Sequence, residues 1–196
     1  ISKYVNHPKP LVIGDVQYPA RIFSAWTASE LAAIGIIEVT FDNSNKKDEK
    51  WYINTNQTYT YDADAGTVTA TYGTATAKAH ADTTWSQQDS DDGDLPSDKS
   101  VGDVKVEGLK TILIRTVKAQ AEHLLDQTDW YITRKAEKNT AIPSAITTWR
   151  DGIRTKQAAM ETSITNASNT PALETLYTYV NTADEGEPVV MARPLG

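Results

Sequence analysis

The sequence predicts an α+β fold: a small antiparallel β-rich N-terminal unit followed by a C-terminal α-helical hairpin, with extended termini. Three observations predict it. Short runs rich in β-branched and aromatic residues recur before residue 75. From Leu109 onward, apolar residues recur every three or four positions. Between these regions lies a stretch crowded with Asp, Gly and Pro and poor in large apolar side chains.

Residues 1–23 contain Pro8, Pro10 and Pro19, which disfavour a helix. They read as an extended arm with one short strand at Val16–Tyr18. Residues 24–85 read as the β-rich unit with one short helix. Thr27 and Glu30 have capping-box spacing, which predicts a helix over 28–33 that ends at Gly35. Ile36–Phe41, Trp51–Ile53, Tyr59–Tyr61 and Thr67–Tyr72 read as strands, with a turn at Asp62–Gly66. The Ala- and Thr-rich residues 73–85 fit either a strand or a helix.

Residues 86–106 read as an acidic linker, and residues 107–180 as the helical hairpin plus a short third helix. The first helix has an apolar stripe of Leu109, Ile112, Leu113, Thr116, Val117, Ala121, Leu124 and Leu125, and should stop near Thr128. Pro143 suits the start of the second, where its missing N–H costs nothing. That helix, over 143–166, would be about 36 Å long. Ile142, Ile146, Trp149, Ile153, Met160 and Ile164 give it an apolar face. Thr170 and Pro171 read as the cap and first turn of the third helix, and residues 181–196 as an extended tail.

Composition narrows the function. The 196 residues carry a net charge of −7, and the pI is about 4.9. That balance argues against nonspecific nucleic-acid binding, which needs a basic face. There is no Cys, which removes disulfides, thiolate zinc sites and Cys nucleophiles. No apolar run approaches the roughly 20 residues that span a bilayer, so no membrane insertion is expected. Nor do the first ten residues have the form of a secretory leader.

Sites for chemistry are sparse. His7, His80 and His123 have no ligand spacing. The Asp89–Asp94 stretch fails the calcium-loop pattern, because alignment on Gly93 puts Gln88 first and Lys99 last. Asp62 and Asp64 sit beside Gly66 in a turn, where turn chemistry outweighs a carboxylate pair for glycoside hydrolysis. No phosphate loop, dinucleotide glycine fingerprint or nucleophile elbow is present. The reading is therefore of a non-enzymatic chain without cofactor or metal.

The most informative stretch is the hairpin corner: Leu124-Leu125, Thr128-Asp129-Trp130, Arg134, Glu137, a polar link over 135–141, then Pro143, Trp149-Arg150-Asp151 and Arg154. This pattern resembles a family of tailed-bacteriophage proteins, tail fibre proteins or tail assembly chaperones. Upstream, Tyr18-Pro19 followed by Ser29-Glu30 and Gly35-Ile36 is similar to an opening seen ahead of that segment. The matched stretches cover about a third of the chain.

The resemblance implies a virion role at the tail tip, baseplate or fibre attachment, with the protein made in the host cytoplasm. It implies other phage tail proteins and further copies of the chain as partners. The alternatives are a fibre assembly chaperone and a module that binds a host surface glycan.

The candidate interaction and structural residues are Asp129, Trp130, Trp149, Arg150, Arg154, Tyr18 and Pro19. Trp130 could fold back over the hairpin onto Trp149 or Ile153, and the plain reading places both indoles in the core. Arg150 and Arg154 could clamp Asp129, Glu137 or a partner's carboxylates, or form an ordinary solvated or intramolecular face. Tyr52, Tyr59, Tyr61 and Tyr72 fit either a contact face or cross-strand packing. The Thr-rich strands fit either edge pairing with another subunit or an ordinary surface sheet.

Overall fold

A computed structural model of the chain describes residues 4–183 and the backbone of residues 191–192. The fold is α+β, with most of the strands and three short helices before residue 107 and the longer helices after it. It divides into two compact units, Ile1–Thr76 and Ala77–Gly196.

The first unit opens with a hairpin, not a bare extended arm. Strands β1 (Leu11–Ile13) and β2 (Val16–Tyr18) pair antiparallel about Gly14, whose φ of +59° suits glycine alone at little cost. A short helix α1 (Ile22–Ala25) follows. Helix α2 (Ala28–Ala33) then forms on the expected capping box: Glu30 N donates to Thr27 Oγ1 at 3.3 Å, and Thr27 N donates to Glu30 Oε2 at 2.8 Å. The Thr27 N–H and the Thr27 hydroxyl, both donating to Glu30 Oε2, hold the Glu30 carboxyl below its usual pKa.

Strands β3 (Val39–Asp42), β5 (Gln57–Asp62) and β6 (Thr67–Tyr72) form a sheet in the order β3-β6-β5. The short β4 (Tyr52–Ile53) lies between β3 and β5 in sequence, and its neighbour Trp51 is buried. The hairpin β5–β6 is antiparallel with Tyr59 opposite Ala70, whereas β3 joins β6 in parallel. A parallel neighbour needs a crossover, and the chain supplies it by running through β4 and β5 before returning as β6. Alternation then sorts the faces. Val39, Phe41, Val68, Ala70, Tyr59 and Tyr61 share one, and Thr40, Thr58, Thr60, Thr69 and Thr71 share the other.

The division between the units falls within the two-residue β7 (Thr76–Ala77). Residues 86–106, expected as a linker, are folded. Strand β8 (Thr83–Thr84) pairs antiparallel with β9 (Val104–Val106). Helix α3 (Gln87–Asp91) lies between them, capped reciprocally by Ser86 and Asp89. Asp89 also pairs with Lys105, whose ammonium lies 4.4 Å from the Trp85 ring centre. The carboxylates that read as a solvated run are thus partly used as caps and pairs. These bonds hold the Asp89 carboxyl far below its usual pKa.

Helices α4 (Leu109–Asp126), α5 (Asp129–Lys138), α6 (Ser144–Asn166) and α7 (Thr170–Tyr177) complete the unit. The expected link at 135–141 is shorter, because α5 continues to Lys138 and stops where Asn139 takes the left-handed conformation. The α4 contact line is Leu109, Leu113, Val117 and Ala121, a strict four-residue step. Ile112, Thr116 and Leu124, expected on the buried stripe, are exposed. Ile164 and Leu173 are fully buried and anchor α6 and α7. The cap of α7 is Asn169, which accepts from Ala172 N at 2.9 Å. Thr170, expected as that cap, is instead buried and donates to the Lys78 carbonyl at 2.6 Å.

Of the tail expected over 181–196, Val180–Asn181 (β10) pairs antiparallel with Met191–Ala192 (β11). Residues 1–3, 184–190 and 193–196 lie outside the described residues. Among the described residues, no helix is long and apolar enough to cross a membrane.

Candidate interaction site at the helical corner

The corner where α4 passes into α5 and meets α6 is built around Arg150. Helix α4 ends with unpaired carbonyls, as every helix does. Arg150 reaches across from α6 and Nη1 donates to the Leu125 carbonyl at 2.8 Å and to Thr128 Oγ1 at 2.6 Å. The Thr128 hydroxyl itself donates to the same Leu125 carbonyl at 2.9 Å. The other terminal nitrogen, Nη2, lies 2.7 Å from Asp129 Oδ1. One planar guanidinium therefore caps the end of α4 and holds the first residue of α5. Both ends suit the helix dipoles, with a cation at the α4 C-terminus and an anion at the α5 N-terminus.

Arg150 is only 5% exposed, so it forms part of the packed interior. The residues of α6 that turn inward include Ile146, Arg150, Ile153, Gln157, Met160 and Ile164, a series of three- and four-residue steps. Trp149 falls about 100° away from Arg150 around the helix. That offset corrects the expectation that both indoles are core. Trp149 is 38% exposed and Trp130 is 52% exposed. Nor does Trp130 fold back on α6 as expected: it stacks on Tyr131, with ring centres 3.7 Å apart, and the Arg134 guanidinium lies 4.9 Å from its ring centre. Arg134 Nε is buried without a hydrogen-bond partner among the described residues. No residue of α5 is fully buried.

Arg154 does not join the clamp. Its Nη1 pairs with Asp151 Oδ1 at 3.2 Å, one turn back on α6. It also lines an open groove of about 620 Å³ with Leu125, Gln157, Ala158 and Glu161. Gln157 donates to Glu161 at 2.8 Å and Lys118 reaches Glu161 at 3.5 Å, so the groove's charges largely answer one another. Tyr18 and Pro19 belong to the first unit. Tyr18 meets Trp26 edge-on at 5.8 Å, and the Pro19 carbonyl accepts from Ile22 N at 3.2 Å, starting α1.

Sequence reasoning missed the role of the segment before α4. Leu109 N donates to the Ala79 carbonyl and Lys110 N to the His80 carbonyl, each at 3.0 Å. Asp82 accepts from Gly108 N at 2.7 Å and from Thr111 Oγ1 at 2.8 Å, which holds its carboxyl below the usual pKa. The signal for it was faint: an Asp 26 residues before the glycine that it caps.

No family profile, curated protein or solved structure matches the chain.

Proposed function

We propose that the chain is a non-enzymatic structural component of a tailed-phage virion, at the tail tip, baseplate or fibre attachment, acting through protein–protein contacts. One observation carries the reading. Of the corner residues that carry the phage resemblance, Thr128, Asp129 and Arg150 are bonded to one another, while Trp130 and Trp149 beside them stay at the surface with no part in that clamp. Trp is, with Tyr and Arg, among the side chains most enriched at interface hot spots.

Peptide mass spectrometry of purified virions from a phage encoding the chain tests this. A fixed ratio to the major capsid protein is the expected result. Presence in infected-cell lysate but absence from virions would replace the reading with that of an assembly chaperone. Absence from both would remove the phage reading altogether.

A further inference from the structure

The three-stranded sheet of the first unit has two unequal edges. The β3 edge is four residues long and ends at Asp42, whose carboxylate turns the chain by accepting from Ser44 N at 2.9 Å. The β5 edge is six residues long, Gln57-Thr58-Tyr59-Thr60-Tyr61-Asp62, and pairs with β6 in unbroken register. It has no Pro, Lys or Arg, and its one charge is the last residue. Strands at sheet edges are ordinarily guarded by brevity, charge, proline or a bulge. The β3 edge has two of these guards, and the β5 edge has an acid at one end.

We propose that β5 pairs antiparallel with β5 of a second copy of this chain, making one continuous six-stranded sheet. Symmetry decides which residues meet. A two-fold axis between antiparallel edge strands runs perpendicular to the sheet, so each face continues into the same face of the partner. A pair centred on Thr60 sets Thr60 against Thr60, Tyr59 against Tyr61, and Thr58 against Asp62. A pair centred on Tyr59 sets Tyr59 against Tyr59, Thr58 against Thr60, and Gln57 against Tyr61. Neither places like charges opposite one another.

Both arrangements extend patterns already present. The cross-strand rows Thr40-Thr69-Thr60 and Asp42-Thr71-Thr58 lengthen on one face. On the other, Tyr4, Phe41 and Tyr61 are 42%, 48% and 49% exposed, and Tyr4 stacks on Tyr59 with ring centres 5.0 Å apart. Pairing brings Tyr61 beside a Tyr or Gln of the second copy, the type of cross-strand contact that stabilises sheets. Three strands are few for a sheet, and six falls in the ordinary range.

Light scattering coupled to size exclusion on the full chain tests the proposal. The mass should rise with concentration from 21.5 kDa to twice that value. Thr60→Lys should restore the single-copy mass, because it puts a cation on the shared edge of both copies. Thr40→Lys, on the other edge, should leave the dimer intact.

The chain has no Cys, so introduced thiols report cleanly. Thr58→Cys with Thr60→Cys should give a covalent dimer on mild oxidation in either register, and Thr40→Cys should not. This pair decides the matter if circular dichroism shows that Thr60→Lys unfolds. A single-copy mass at every concentration, a dimer indifferent to Thr60→Lys in a folded variant, or no cross-link would each overturn the pairing. The outcome is independent of the virion experiment, which does not read self-association.

Discussion

The two ends of the α4–α6 hairpin are closed in different ways. At the Leu109 end, backbone carbonyls of Ala79 and His80 and the Asp82 carboxylate take up the first N–H groups of α4. Leu109, Ile164, Ala167 and Leu173 are buried in the same unit. At the Leu125 end, closure falls to one buried guanidinium and its three oxygen partners, and two indoles are left outside. The first end is built as a core, and the second as a charged latch with a presented surface. Burial is non-directional and tolerates no polar gap, whereas an ion pair fixes angle and register at a smaller net gain.

The comparison breaks first at the core end. Ile164→Ala should cost about 2–5 kcal/mol, because Ile164 is fully buried and the surrounding helices cannot collapse completely onto the gap. Urea denaturation of the full chain reads this directly. A cost near zero would mean that this end is not the stabilising one.

Gly108→Ala comes next, at about 1–3 kcal/mol, the usual cost of forcing atoms into packed space. A Cβ at Gly108 would lie 2.3 Å from the Ala81 carbonyl carbon and 2.4 Å from its oxygen. Backbone cannot move aside as the tip of a side chain can. An unchanged denaturation midpoint would show that the 79–82 segment is not held as described.

At the latch, Arg150→Ala should cost about 1–3 kcal/mol, the usual penalty for leaving a partly buried polar group such as the Leu125 carbonyl without its partner. The figure stays below that of a fully buried pair because Asp129 is half exposed and water can replace its partner. Arg150→Lys should recover little, since an ammonium cannot span the Leu125 carbonyl, the Thr128 hydroxyl and Asp129 together. Equal stability of the Lys variant and the native chain would show that charge alone suffices there.

These costs also show what could be read from the sequence. The β6 strand, α2 with its capping box, and the limits of α4 and α6 follow from local rules: alternation, cap spacing and helical period. The Asp129–Arg150 contact was one of several pairings that the residues allowed, and only the packed corner selects it. The positions of Trp130 and Trp149 were misread because hydrophobicity favours the interior, while one helical step decides whether residue 149 or 150 faces inward. The folded 86–106 segment escaped for a related reason. Its acids look like solvated charge until Ser86, Lys105 and the α3 N–H groups are placed around them.

Acid should act on the Leu109 end as well. Asp82 is an anion bonded to Gly108 N and Thr111, and its folded pKa lies below its ordinary value of 3.8. A lowered folded pKa contributes stability that is complete above the unfolded value and lost as pH falls through the folded one. Asp89 and Glu107, both lowered by their cationic neighbours, act in the same direction. Stability should therefore fall as pH drops below about 4, near the unperturbed carboxyl values. Asp82→Asn keeps an acceptor but removes the titration, so the slope of melting temperature against pH should flatten in that window. An unchanged slope would leave Asp82 out of the acid response.

The smallest effect expected on the free chain is the one that bears most on function. Trp130→Ala and Trp149→Ala should each change stability by about 1 kcal/mol or less, as exposed substitutions usually do, with Trp130 losing mainly its contacts to Tyr131 and Arg134. Loss of a buried indole would instead cost about 3–5 kcal/mol. If the indoles are anchors for a tail partner, each variant should fold normally yet fail to enter virions when it replaces the native chain in an infecting phage. A variant that folds and is incorporated at the native ratio would leave the corner a purely architectural latch and move the search for a partner surface elsewhere. The stability measurement comes first, because only a folded variant makes a failure of incorporation a statement about contact.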